Sequence, residues 1–157
     1  MASMWFLISA LCIITDQLTK LIIFTYNLHL ELLPFLSLTP TYNRGFVFGI
    51  FQNSEGWLKD IFYYGIPFAV VLVLFKILLK AKNPLVGFSV ALILGGGIGN
   101  LIDRIVLGKV RDFIDFHIGQ WHYPAFNIAD SCVSIGIAIL LFHFLLLDKK
   151  EASRGGV

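Results

Sequence analysis

Four long runs of apolar residues constrain this chain more than any other feature. They run from about Met4 to Phe24, Ile61 to Leu79, Pro84 to Ile102 and Ser131 to Leu147. Each is long enough to cross a hydrocarbon core of about 30 Å as a helix, which takes roughly 17 to 25 residues. Backbone polar groups in that setting must be satisfied internally, so helices follow. With 57% hydrophobic and 14% charged residues among 157, the chain is far more apolar than a soluble domain. The sequence therefore predicts an α-helical integral membrane protein, a single membrane domain with four transmembrane helices. An even number of spans puts both termini on one side. The first run lacks the basic n-region and small-residue exit of a cleaved signal peptide and carries Asp16 and Lys20 within its pattern, which marks a retained helix.

Outside the spans the pattern changes. Over about residues 27–57, Pro34 and Pro40 forbid a continuous helix. There "FVFGIF" (46–51) alternates with the period of a strand, after Asn43 and Gly45, which suit a turn. A small β-structure on the outer membrane surface is expected. Over about residues 103–126, "KVRDFIDF" mixes apolar and charged residues and reads as an interfacial segment. Trp121, His122 and Tyr123 follow it at headgroup level.

The net charge of +2 is small and scattered, which excludes a nucleic-acid partner, since phosphate binding needs clustered cations. Lys76, Lys80, Lys82, Lys149, Lys150 and Arg154 fall on one side, and Lys20, Arg44, Lys59, Arg104, Lys109 and Arg111 on the other. The totals tie, but concentration in a short loop and tail favours the first set as cytoplasmic. Eight of the ten acids lie in or toward the opposite half.

Those acids are the candidates for chemistry. Asp16 and Lys20, at i and i+4, read as an internal ion pair; Asn100 and Asp103, at i and i+3, share a helix face, with Arg104 beside them to neutralise the carboxylate. Asp130 has two readings: a first-turn acid with Asn127 as N-cap, or one of a group of carboxylates with Asp112 and Asp115. Two carboxylates about 3 Å apart cannot both ionise, so such a pair is acid and base at once. Other chemistries fit less well. His117 and His122 have poor helical spacing for a metal and no H-E-x-x-H occurs; G-x-S-x-G is absent. Gly95 and Gly99 fit the G-x-x-x-G of close helix packing, and Cys12 and Cys132 read as buried thiols. The rival class is a small transporter or channel subunit with a carboxylate proton relay, which calls for acids strung through the bilayer depth.

The ordered set "TDQLTK", "YNRGFVFG", "GGGIGNLIDR", "VRDFIDF" and "PAFNIADS" resembles the lipoprotein signal peptidases, the bacterial type II signal peptidases, from about residue 15 to 137. The resemblance implies an inner-membrane aspartic endopeptidase with four transmembrane helices, a periplasmic β-cradle, a periplasmic interfacial segment and cytoplasmic termini. It implies cleavage of diacylglyceryl-modified prolipoproteins just before the lipidated cysteine, at a site near the periplasmic side, with membrane lipid as a partner and no metal or cofactor. By motif, the catalytic pair falls on Asp112 and Asp130, while Asp16, Asn43, Asn100, Asp103, Arg104 and Asn127 match supporting positions around substrate and dyad. Two departures stand out. Phe46 and Val47 follow Gly45 where small residues are usual, which would narrow or reshape the cradle. Arg111 precedes Asp112 where an apolar residue is usual, and its opposite charge is expected to lower the Asp112 pKa.

Overall fold

The computed structural model describes residues 2–43 and 56–147. Helix α1 spans Ala2–Thr25, α2 Trp57–Lys80 and α3 Pro84–Leu107; α4, Ile128–Phe142, is continued by a π-helical stretch, His143–Leu147. All four are long and apolar enough to cross a membrane. Local sequence explains their ends and irregularities. Pro84 opens α3, where a missing N–H costs nothing, and the Asn83 side chain accepts from the amides of Leu85 and Val86. In α2 a π-helical turn, Ile61–Gly65, comes just before Pro67, whose nitrogen cannot donate to the preceding turn.

Helix α3 is the hub of the bundle. Its Val90, Ala91 and Leu94 form the apolar core with Trp5 and Leu78. Gly95 and Gly99 face α1, where a Cβ would lie 2.7 Å from Cys12 Cβ and 2.8 Å from Asp16 Oδ2 respectively. The G-x-x-x-G spacing is thus the close α1–α3 contact, reinforced by Ser9 Oγ donating to Ala91 O at 2.9 Å. Outward-facing Leu7, Leu11, Leu18, Val73 and Phe142 are about half exposed, as a lipid-facing surface requires. The chain is a helical membrane protein with a small sheet.

That sheet is antiparallel, in the order β1 (Leu30–Leu33), β2 (Leu36–Asn43), β3 (Val110–Ile118), β4 (Trp121–His122). Leu36 pairs with Phe116 and Asn43 with Val110, with a register shift between Leu38 and Thr41. Pro40 lies in that interval, where a missing ladder donor is tolerated. The expected strand at 46–51 lies outside the described residues. The described strands instead use the residues before it and the segment read as interfacial. Within that segment α3 runs on to Leu107, and the branched and aromatic residues of Val110–Ile118 then supply the longest strand. The sheet sits over one end of the bundle, held there by Phe24 against Tyr42, ring centroids 4.9 Å apart, and by polar contacts from β3 to α3 and α4.

Candidate active site

The N-terminus of α4 organises the site. Asn127 has extended backbone and caps the helix: its side-chain oxygen accepts from Asp130 N at 2.9 Å, and Asp130 Oδ2 accepts from Asn127 N at 3.2 Å. This reciprocal capping box uses only part of each side chain. Asn127 Nδ2 also donates to Asp112 Oδ1 at 2.6 Å and to Asn100 Oδ1 at 3.1 Å. Asn100 Nδ2 in turn donates to Asp130 Oδ1 at 2.8 Å. Asp112 and Asp130 are therefore linked by two asparagines, with Asn43 hydrogen-bonded to Asp112 from β2. The capping role expected of Asp130 is real, and the same carboxylate also lines a cavity.

Beneath this layer lies a buried ionic network. Lys20 is fully buried and reaches Asp16 Oδ2 at 2.8 Å, Asp103 Oδ2 at 3.4 Å and Asn100 Oδ1 at 2.9 Å. Arg111 turns from β3 back to α3 and contacts both Asp103 oxygens, Nη2 at 2.7 Å and Nε at 3.2 Å, while its backbone N donates to Oδ2 at 2.9 Å. Gln17 donates to Asp103 Oδ1 and accepts from Arg111. Asp16 Oδ1 accepts from Ala129 N, an orphan amide of the first turn of α4. Two acids and two cations thus neutralise each other, as buried charges must. Among the described residues, no cation lies within ion-pair distance of Asp112 or Asp130.

Electrostatics at Asp112 follow from that division. Burial, then the nearby charge of Asp130, push its pKa up to about 6 despite the hydrogen bonds from Asn43 and Asn127. Both carboxylates line a cavity of about 610 Å³ that also touches Arg104, Tyr123, Phe126 and Ile135. Ile135 lies five residues beyond Asp130, about 7.5 Å along the helix, and is 53% exposed. The cavity therefore follows α4 toward the outer surface of the bundle.

The comparisons agree with this architecture. The family described as "Signal peptidase (SPase) II" matches residues 8–146. The chain belongs to the signal peptidase II family. Relatives named lipoprotein signal peptidase include those of Burkholderia thailandensis, 42% identical, and Burkholderia ambifaria, 44% identical, each over 88% of this chain and 85% of the relative. Two solved structures described as a bacterial membrane enzyme match with a TM-score of 0.79. One is 34% identical, covering 91% of this chain and 88% of the other; the second is 33% identical, covering 92% and 94%. As a signal peptidase II member the chain is a protease and a multi-pass membrane protein.

Several sequence expectations for this signal peptidase II chain are corrected by the geometry. Asp103 is neutralised by Arg111 and Lys20 rather than by Arg104, because adjacent helical residues do not face each other. The Arg104 guanidinium instead lies 4.9 Å from the Tyr63 ring centroid and borders the cavity. Arg111 does not lower the Asp112 pKa, since alternation along β3 sends the two side chains to opposite faces. Asp115, on the Arg111 face, stays apart from Asp112 and Asp130 and meets His122 Nδ1 at 2.9 Å. His117 and His122, rejected on helical spacing, are cross-strand partners. Asp16, Asn43, Asn100, Asp103 and Asn127 do converge around Asp112 and Asp130. Gln17 and Lys20 complete the support; both stand in "TDQLTK", but only the burial of α1 against α3 gives Gln17 its place. A proton relay is not favoured, as the described acids of the spans gather toward the sheet end and the interior of α2 has none.

Proposed function

We propose that this chain removes the signal peptide from diacylglyceryl-modified prolipoproteins, cutting just before the lipidated cysteine, with Asp112 and Asp130 as an aspartic dyad. The observation that carries this reading is the pairing itself. Two carboxylates bridged by Asn127 and Asn100, without a neutralising cation among the described residues, face one cavity. Such a pair retains one proton and holds an acid beside a base. The ionised carboxylate takes a proton from water as the water oxygen attacks the scissile carbonyl carbon, while the protonated partner donates a hydrogen bond to the carbonyl oxygen; collapse of the tetrahedral intermediate then breaks the C–N bond as a carboxyl proton passes to the leaving nitrogen. The elevated Asp112 pKa supports a shared proton near neutral pH.

Substrate entry is sideways from lipid. The cavity's continuation along α4 past Ser134 to Ile135 supports this reading, and the acyl chains of the modified cysteine stay in the bilayer. Asn43 and Arg104 border the cavity and act as substrate-facing polar groups, while Asp16, Asn100, Asp103 and Asn127 position the dyad. The chain acts as a single membrane domain of the bacterial inner membrane, with the sheet and site at the periplasmic side and both termini cytoplasmic.

The test is cleavage of a purified diacylglyceryl-modified prolipoprotein in detergent by wild type, Asp112→Asn and Asp130→Asn, with a thermal melt to verify folding. Cleavage by wild type and loss of roughly 10²- to 10⁴-fold in each folded variant is expected for acid–base residues. Full activity in either variant removes that residue from the chemistry.

A further inference from the structure

The β3–β4 hairpin carries a second cluster that the proposed peptidase chemistry leaves unused. Asp115 and His117 are two residues apart on β3 and so share a face. His122 on β4 is the cross-strand partner of His117. The two imidazoles stack with centroids 5.2 Å apart. His122 Nδ1 lies 2.9 Å from Asp115 Oδ1, and His117 Nδ1 lies 3.9 Å from Asp115 Oδ2. One nitrogen from each ring and one carboxylate oxygen fall within 4.8 Å of one another.

We propose that Asp115, His117 and His122 form a site for a divalent transition-metal ion of the zinc class, separate from the Asp112–Asp130 dyad. The donor set is chemically suited: imidazole and carboxylate together take zinc, copper or nickel. Tetrahedral coordination at about 2.1 Å separates ligand atoms by roughly 3.4 Å, and one carboxylate oxygen, Asp115 Oδ2, lies 3.0 Å from His122 Nδ1 and 3.9 Å from His117 Nδ1, distances that bracket that edge. A second observation points the same way. Nδ1 of His117 is buried and has no hydrogen-bond partner, a cost that a metal bound between it and the carboxylate removes. The carboxylate is itself oriented from outside, with Ser37 Oγ at 3.4 Å from Asp115 Oδ2, the arrangement that fixes metal ligands from behind. His122, with its side chain 54% exposed, leaves an entry path and room for a water as fourth ligand.

The site's position gives it a consequence. His122 leads directly into Tyr123–Phe126, and Tyr123 and Phe126 line the main cavity. Tyr123 N already donates to Phe116 O at 2.8 Å. An ion joining β3 to β4 adds a side-chain tie to the backbone bonds of the hairpin at the His122 end of that cavity wall and stiffens it.

The experiment uses the full chain without an affinity tag, in detergent and washed with chelator. Zn²⁺ is titrated against a chromophoric competitor, and Co²⁺ serves as a spectroscopic probe. Wild type is expected to bind one Zn²⁺ per chain at micromolar concentration or tighter, and Co²⁺ to give visible absorption bands of a low-coordinate site. His122→Gln, at an exposed position that leaves the fold intact, and Asp115→Asn are each expected to weaken binding at least tenfold and abolish the bands. His29→Gln should change nothing. Hydrogen exchange at the Tyr123 amide should slow on Zn²⁺ addition in wild type only. Absence of stoichiometric binding, or equal binding by His122→Gln, overturns the proposal.

Discussion

The side-chain nitrogen of Asn127 lies 2.6 Å from Asp112 Oδ1. The same residue caps α4 and exchanges hydrogen bonds with Asp130. A single side chain therefore joins the folding of a helix end to the spacing of the proposed dyad. Removing it has two separable effects, because the cap needs an oxygen while the bridge to Asp112 needs an N–H donor.

Asn127→Ala is expected to lose both, with about 1–2 kcal/mol of stability from the cap and a fall in cleavage of about 10²-fold or more. Asn127→Ser retains a capping oxygen and loses the amide donors. Its melting temperature should return most of the way to wild type while its kcat stays low. Thermal melts and cleavage rates on the two variants check this; equal recovery of both quantities by serine would show that the Asp112 bridge has no role of its own.

The carboxylate at position 112 ties stability to pH. Its pKa is raised from 3.8 to about 6 by burial first and by Asp130 second. A raised folded-state pKa means the protonated form is favoured in the native state. The associated stability is fully present below about pH 4 and is lost as pH rises through about 6. Asp112→Asn removes this dependence. Relative to wild type it should be near neutral at pH 4 and more stable at pH 8, with a ceiling of about 3 kcal/mol at about 1.4 kcal/mol per pH unit. Melts of both proteins across that range give the difference directly. Under the same reading, kcat/KM of wild type declines on the alkaline side with a limb near or above pH 6.

The spans, the grouping of acids at one end and the motif positions of Asp112 and Asp130 were legible because each depends on local pattern or on ordered motifs. What was not legible depends on pairing. "KVRDFIDFHI" has the composition of an interfacial segment as readily as of a strand, and only β2 beside it makes it β3. Once it is a strand, Arg111 and Asp112 part to opposite faces, Asp103 gains a partner eight residues on, and two histidines five apart become neighbours. None of these follows from spacing on a helix. Asp103 and Arg104 part for a related reason, since consecutive residues of a helix point in different directions.

Arg111 tests that distinction. Because its guanidinium contacts both Asp103 oxygens and Gln17, lysine cannot reproduce it: a single ammonium lacks the planar fork. Arg111→Lys is expected to lower the melting temperature while leaving the pH dependence of kcat/KM nearly unchanged, since the side chain faces away from Asp112. A pH profile displaced by a full unit, with an unchanged melt, would instead place the cation's influence at Asp112.

Lys20 is fully buried between Asp16 and Asp103, with Asn100 as a third partner. Lys20→Met leaves Asp103 with Arg111 but takes from Asp16 the cation it pairs with, and breaking a buried pair this way costs roughly 3–5 kcal/mol. Asp16→Asn also removes charge, but its side chain can still accept from Ala129 N at the start of α4, so its cost should be smaller. Combining the two substitutions removes an ion pair rather than half of one. The double variant is expected to be more stable than the sum of the single losses predicts, with a coupling of about 1–3 kcal/mol. Denaturant or thermal unfolding of the four proteins of this cycle in one detergent measures it. Strict additivity would mean that Asp103 alone holds Lys20, and that Asp16 serves only the first turn of α4.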